Sequence, residues 1–229
     1  ETVNGNKIKA KMPTYKQPNT RKNTSGYFSG DKIDAIDLFI GSEGTLGIIT
    51  EIKLNLLPKP EGFLSGIVFF ENENDLLNLV NEAREESFNS RLSTLDSRLS
   101  KIDATVLEYF DEQSLKFIRE KFPETPEQIA GAIFFEQETT AENEDELFEK
   151  WNELLEKHNA DIEQSWFAIN EQDLEKMRSF RHALPVSVNE KIVRYKQRKV
   201  GTDMAVPDEN FAPFLKFYKQ KLNESGLEY

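Results

Sequence analysis

Residues 41–50, GSEGTLGIIT, place three glycines at intervals of three, Gly41, Gly44 and Gly47, with a carboxylate, Glu43, among them. Glycines so spaced let a ligand meet bare backbone, and phosphate binding is the first chemistry to test. It fails. A dinucleotide loop needs G-x-G-x-x-G opening into a helix, and a P-loop needs Gly-Lys-Ser/Thr. Here the spacing is G-x-x-G-x-x-G, Thr45 and Leu46 follow the second glycine, and residues 50–56 alternate polar and apolar as a half-buried strand would. A carboxylate beside a pyrophosphate in a dry site would also cost on the order of several kcal/mol. Two readings stay open. The backbone could press against the flat or sugar part of a nucleotide, or the segment is a tight turn whose glycines supply positive φ and which Glu43 caps.

Arg181 is the second candidate. The helical stripe Leu174, Met177, Phe180 and Leu184 is apolar, and Arg181, four residues after Met177 and three before Leu184, falls on it. A guanidinium there needs a carboxylate or a pocket opening. Its planar fork suits the carboxylate of a small substrate. The alternative is an ion pair within the domain, easily met in a chain with 41 Asp and Glu. Residues 191–199, KIVRYKQRK, hold five cations in nine residues. They could draw acidic substrates inward, or form a solvated strand or loop. His182 and His158 read as surface residues. The acidic stretch 136–149 reads as a helix entry with a solvated face, and its spacing is not that of an EF-hand.

Bulk composition narrows the classes. The chain has 229 residues, 38% hydrophobic and 31% charged, with a net charge of −12. That charge excludes a nucleic-acid binder, since phosphates would be repelled. No apolar stretch approaches the roughly 20 residues of a membrane span. Zero cysteines remove disulfides, thiolate metal sites and cysteine nucleophiles, and suit a cytoplasmic protein. Two histidines are too few for a convincing zinc site. Redox chemistry must therefore come from a bound cofactor or from residues elsewhere. The chain begins without Met in a hairpin-like VNGNKIKAKM and ends in GLEY, where a new strand is expected to start, so both ends read as boundaries inside a longer protein.

The elements that must position these residues divide at the Pro-containing LPKPEG into residues 1–60 and 61–229. The first part holds strand-like KIKAKM, IDLFI and IITEIKLNLL. In the second, strands at LSGIVFFE, ATVLEYF, AGAIFFEQE, IEQSWFA and VGTDMAVP alternate with helices. The helix over 142–159 is expected to turn Leu147, Trp151, Leu154 and Leu155 inward, and another runs from Asn170 to Leu184. Charge following the FF pairs predicts one solvated face. The fold class is α+β, an antiparallel sheet with helices on one side.

KNTSGY at 22–27 followed by DLFIGSEGTLGIITEIKLNLLPKP at 37–60 resembles the end of the FAD-binding domain of vanillyl-alcohol-oxidase-type flavoproteins, in the glycolate oxidase / D-lactate dehydrogenase branch. The resemblance implies that Glu43, Gly44, Thr45, Leu46, Gly47, Ile48 and Ile49 contact FAD, largely through backbone. Residues 63–229 resemble the family's cap domain, more loosely. MRSFRHALPVSVN and TDMAVPDENF match the stretch that carries a substrate-side arginine, here Arg181, and the strand after it. Relatives often place a lysine two residues before the aspartate of that strand. Here the position is Gly201, before Asp203, and Lys199 or Tyr195 is left to substitute.

The resemblance further implies a catalytic histidine pair beyond Tyr229, so no catalytic residue and no metal ligand is assigned to this chain. The implied protein oxidises a 2-hydroxy acid, the D enantiomer, by hydride transfer to FAD, with a small carboxylate as substrate. The electron acceptor is unassigned and a homodimer is left open. The rivals are a family member acting on another alcohol and a catalytically silent α+β binding module.

Overall fold

GIVFF and AIFF are apolar at every position, the mark of strands that meet a cover on both sides. The computed structural model, which describes residues 5, 11–18, 20, 25–30, 32–92 and 101–227, places them at the centre of a sheet. Most of KIKAKM, the first half of KNTSGY and the last two residues of GLEY lie outside the described residues. The chain divides into two compact units, one spanning Pro58–Val200 and the other taking in Glu1–Leu57 with Gly201–Glu228.

The first of these carries the sheet. Strands β1 (Gly62–Phe70), β2 (Val106–Asp111), β3 (Gly131–Thr139) and β4 (Asp161–Phe167) lie in the order β2-β3-β1-β4, every neighbouring pair antiparallel. Helices α2 (Glu73–Arg91), α3 (Glu112–Ile118), α4 (Glu144–Lys157) and α5 (Glu171–Tyr195) connect or follow them. With α2 joining β1 to β2 and α4 joining β3 to β4, this is the split βαβ arrangement of ferredoxin-like domains, with α3 inserted between β2 and β3.

The expectation of helices on one side is corrected. Leu64, Val68 and Phe70 of β1 pack with Ile133 and Phe135 of β3 against α2 and α4. The alternate residues Ile67, Phe69, Ala132 and Phe134 pack against α3 and α5 through Leu115, Ile118, Met177, Phe180 and Ala183. Both faces of the central strands are dry. In β3 burial continues past the apolar run into Glu136 and Gln137, which face opposite sides of the sheet, so the charge after this FF pair is interior rather than on a solvated face. Gly66 is tightly hemmed in between β3 and β4: a Cβ there would stand 2.9 Å from the Phe135 ring and 3.0 Å from that of Phe167.

The inward stripe on α4 holds, with Leu147, Trp151, Leu154 and Leu155 all buried. Trp151 stacks on Phe135 at 4.1 Å between centroids and donates from Nε1 to Gln137 Oε1 at 2.8 Å. His158, expected at the surface, is the C-cap of α4 and only 13% exposed in its side chain. It meets Glu82 of α2 at 2.8 Å, and Lys157 reaches the same carboxylate at 2.6 Å. The Lys157 hydrogen bond, against partial burial and with help from His158, holds the Glu82 carboxyl below its usual range.

Helix α5 does not stop at Pro185. Its 25 residues run on to Tyr195 and end at Lys196 in the left-handed conformation. Proline costs the helix one hydrogen bond, but Ser187 beyond it is buried on the same stripe, so packing carries the helix through. Lys191 and Arg194 of the basic run therefore belong to the last turns of a helix, where cations are favoured.

In the other unit, three expected strands are absent among the described residues or replaced. IDLFI forms the short helix α1 (Ala35–Phe39), because Asp34 accepts from Ile36 N while Asp37 accepts from Asp34 N, a capping box that overrides β propensity. Residues 50–56 and 200–207 have no regular structure, since alternation alone makes no strand without a neighbour to pair with. Ile52, Leu54 and Leu56 stand exposed. A 3-10 turn at Asp208–Asn210 leads into α6 (Phe211–Ser225), where Phe214 stacks with Tyr218.

Two outcomes are expected. Trp151→Ala removes a fully buried indole and its hydrogen bond, and should cost about 3–5 kcal/mol in denaturant unfolding, with Trp151→Phe costing clearly less. Because the Glu82 pKa is depressed on folding, its contribution is present above the ordinary carboxylate value of 4.5 and is lost as pH falls through the lower folded value. Glu82→Gln should therefore lower Tm at neutral pH and converge with the parent at acid pH, as a Tm-against-pH series would record.

Candidate functional site

The face of the sheet beneath α5 is apolar at one end and charged at the other. At the apolar end Phe180 of α5 stands edge-on to Phe110 and Trp166, each at 5.6 Å, and Phe69 stands edge-on to Trp166. Glu108 of β2 sits opposite Phe134, and Glu136 of β3 opposite Val106, so the strand alternation turns both carboxylates toward this helix. Arg178 and Arg181, three apart on α5, come down over them.

Arg181 engages Glu108 side-on. Nε donates to Oε2 at 2.7 Å and Nη2 lies 2.5 Å from Oε1. The hydrogen bond to Glu108, opposed by partial burial and reinforced by the charges of Glu108 and Glu136, raises the pKa of the guanidinium above its already high value. Arg181 therefore stays charged. Arg178 Nε donates to Glu136 Oε1 at 3.1 Å, and its guanidinium lies over the Phe63 ring at 5.3 Å. The side chain of Glu136 is only 9% exposed, whereas that of Arg181 is 41% exposed.

The ion pair weighed for Arg181 is thus formed. It uses one edge of the fork. A guanidinium has five N–H donors, and the Nη1–Nη2 edge of Arg181 meets no acceptor among the described residues. Glu108, Glu136 and Arg178 were not singled out by the sequence reading. Their signal was present: VLEYFD puts Glu108 on the inward alternation between Val106 and Phe110, where a carboxylate requires a cation. Lys199 lies beyond α5, exposed, and makes no hydrogen bond or ion pair with any described residue. Exposed Tyr195 closes the helix.

The glycine segment belongs to the other unit. Gly41, Glu43 and Gly44 have φ of +75°, +50° and +77°. Added Cβ atoms at Gly41 and Gly44 would meet nothing within 4 Å, so conformation, not crowding, requires glycine there. The turn is closed by Thr45 rather than capped by Glu43: Thr45 N and Oγ1 both donate to Ser42 O, at 3.0 and 2.6 Å, and Oγ1 lies 2.8 Å from the Tyr27 hydroxyl. The Glu43 carboxylate has no partner among the described residues. Nor do the N–H groups of Leu46, Gly47, Ile48 and Ile49, and Ile48 is 92% exposed. The free Glu43 carboxylate disfavours a phosphate and suits hydroxyl groups, while the open glycine faces and free N–H groups leave the backbone accessible. No group of three or more His, Asp or Glu able to hold a metal occurs among the described residues.

Known proteins give the site a setting. The chain is 26% identical over 215 residues to the glycolate oxidase subunit GlcD of Bacillus subtilis (strain 168), covering 91% of this chain and 38% of that protein. It is 29% identical over 138 residues to a D-lactate dehydrogenase of Archaeoglobus fulgidus, covering 56% of this chain and 30% of the relative. Over 59 residues it is 44% identical to a D-lactate dehydrogenase of Anaerostipes hadrus, covering 26% of this chain and 11% of the relative. The chain thus spans at most 38% of the length of these three. No helix among the described residues is long and apolar enough to cross a membrane. The family of FAD linked oxidases, C-terminal domain, matches residues 67–229, from the middle of β1 through α6. That match takes in the α+β sheet, both its covers and the Arg181 site; the chain belongs to this family, and FAD is the cofactor that membership implies.

Proposed function

We propose that this chain serves a flavin-dependent oxidoreductase that oxidises a D-2-hydroxy acid such as lactate or glycolate. The observation that carries the reading is the free Nη1–Nη2 edge of Arg181, a permanently charged fork beside an aromatic floor. Such an edge binds a carboxylate through two parallel hydrogen bonds and fixes its plane. Orientation of that kind lowers the barrier by sparing the substrate its rotational freedom in the reactive step. The names of the relatives, a glycolate oxidase subunit and two D-lactate dehydrogenases, support the same substrate class.

In this reading residues 1–60 belong to the FAD-binding domain and 61–229 to the cap. Glu43, Gly44, Thr45, Leu46, Gly47, Ile48 and Ile49 form a wall of the cofactor pocket, with backbone N–H groups and the Glu43 carboxylate available to hydroxyls. FAD, when bound, supplies the hydride acceptor, the chemistry that no side chain here can perform. Lys199 adds positive charge toward an anionic substrate. The base that takes the hydroxyl proton is not assigned to this chain. A second reading, a catalytically silent α+β binding module, draws on the Arg181–Glu108 pair itself, since such a pair can serve packing alone.

The test is spectroscopic. The purified protein that carries this chain should show flavin absorbance near about 450 nm and bleach anaerobically with one or more acids of a D-2-hydroxy-acid panel. Arg181→Lys should raise KM for that acid, with about 1–3 kcal/mol lost in kcat/KM. A protein that binds flavin but bleaches with no member of the panel loses the hydroxy-acid reading. Unchanged kinetics in Arg181→Lys removes Arg181 from the site.

A further inference from the structure

We propose that Glu108 is the positioning residue that aims Arg181 at the substrate carboxylate, an inference that rests on the reading of Arg181 given above. A guanidinium offers two edges to a carboxylate, Nε–Nη2 and Nη1–Nη2. Glu108 fills the first with contacts of 2.7 and 2.5 Å and leaves the second bare. Carboxylate and substrate therefore do not compete for the same donors. They divide the fork between them.

The charge arithmetic favours positioning over attraction. Glu108 cancels the cation's unit charge locally, and Glu136 adds to the negative field, so neither raises the pull on an anion. What the pair contributes is a fixed plane. A free arginine side chain has many rotamers, and that freedom is lost at the moment of binding unless it has already been surrendered. Glu108 is anchored on a strand, paired opposite Phe134, and Arg181 on a helix that buries Phe180 and Ala183 on either side of it in the chain. Two rigid elements thus hold the fork before any ligand arrives. Arg178 shows the contrast, since it holds Glu136 through Nε alone, at 3.1 Å.

The experiment compares Glu108→Gln, Glu108→Asp, Arg181→Lys and the double variant Glu108→Gln/Arg181→Lys in the flavin-loaded protein. It reads KM and kcat for the best hydroxy acid, Tm, and the Kd of oxamate, a carboxylate with no oxidisable hydroxyl, from the shift of the flavin spectrum. In Glu108→Gln, KM and the oxamate Kd should rise about tenfold or more, with a smaller change in kcat. Tm should move little, because a pair this exposed contributes little stability. Glu108→Asp, which keeps the charge on a shorter stem, should fall between parent and Glu108→Gln. Once Arg181 is Lys, Glu108→Gln should add no further loss. If Arg181→Lys raises KM while Glu108→Gln and Glu108→Asp leave KM and Kd unchanged or lower them, positioning by Glu108 is overturned and the Arg181 reading stands. If Arg181→Lys itself changes neither, the Arg181 reading and this inference fall together.

Discussion

The sheet depends on two strands that have no wet side. Once β1 and β3 are apolar on both faces, one helical layer cannot satisfy them. α2 and α4 must close one face and α3 and α5 the other. The cost of burying so much backbone is met by the ladder itself, in which each central strand has two antiparallel neighbours. Gln137 is a polar side chain of this interior that finds its partners. Gln137 accepts from Trp151 Nε1 and from Asp103 N and donates to Lys101 O, so a buried amide uses both its ends.

The same two-sided burial creates the chemistry of the site. A face covered by a helix can hold carboxylates only if that helix brings cations, and α5 brings Arg178 and Arg181. Where the cover is complete the pair is structural, as at Glu136. Where the sheet reaches its β2 edge, the cover thins and Arg181 keeps an unused edge. The two arginines are about equally exposed, 38% and 41%, and the difference lies in their carboxylates, 9% exposed at Glu136 and 35% at Glu108. The length of α5 matters too, because the hydrogen bond that Pro185 cannot donate is the one toward the carbonyl of Arg181, four residues back.

How legible this was in the sequence varied with the kind of information each element needs. The four strands of the sheet and the stripe on α4 were readable because periodicity and apolar runs are local. Helices on both faces were not, although GIVFF and AIFF held the signal: a strand with one wet face would have alternated. The IDLFI run was misread because β propensity is weak beside a capping box set by Asp34 and Asp37. Residues 50–56 and 200–207 alternate like strands, yet pairing is a property of two segments and one segment cannot declare it. At the site, Arg181 was found from its place on an apolar stripe, but its partner Glu108 lies 73 residues away, and only the fold brings them together. The His158 contact with Glu82, 76 residues off, was missed for the same reason.

A strand that is apolar on both faces carries no alternation to say which residue belongs opposite which. Sliding β1 past β3 by one position would exchange like for like along Ile67, Val68, Phe69 and Phe70, and hydrophobic burial would barely register the error. Gly66 supplies the missing index. Opposite Phe135 and flanked by the Phe167 ring, it occupies a slot that admits no side chain, and a slip by one residue would drive Ile67 or Ser65 into it. The hydrophobic run makes the strand; one absent methyl group tells it where to stop.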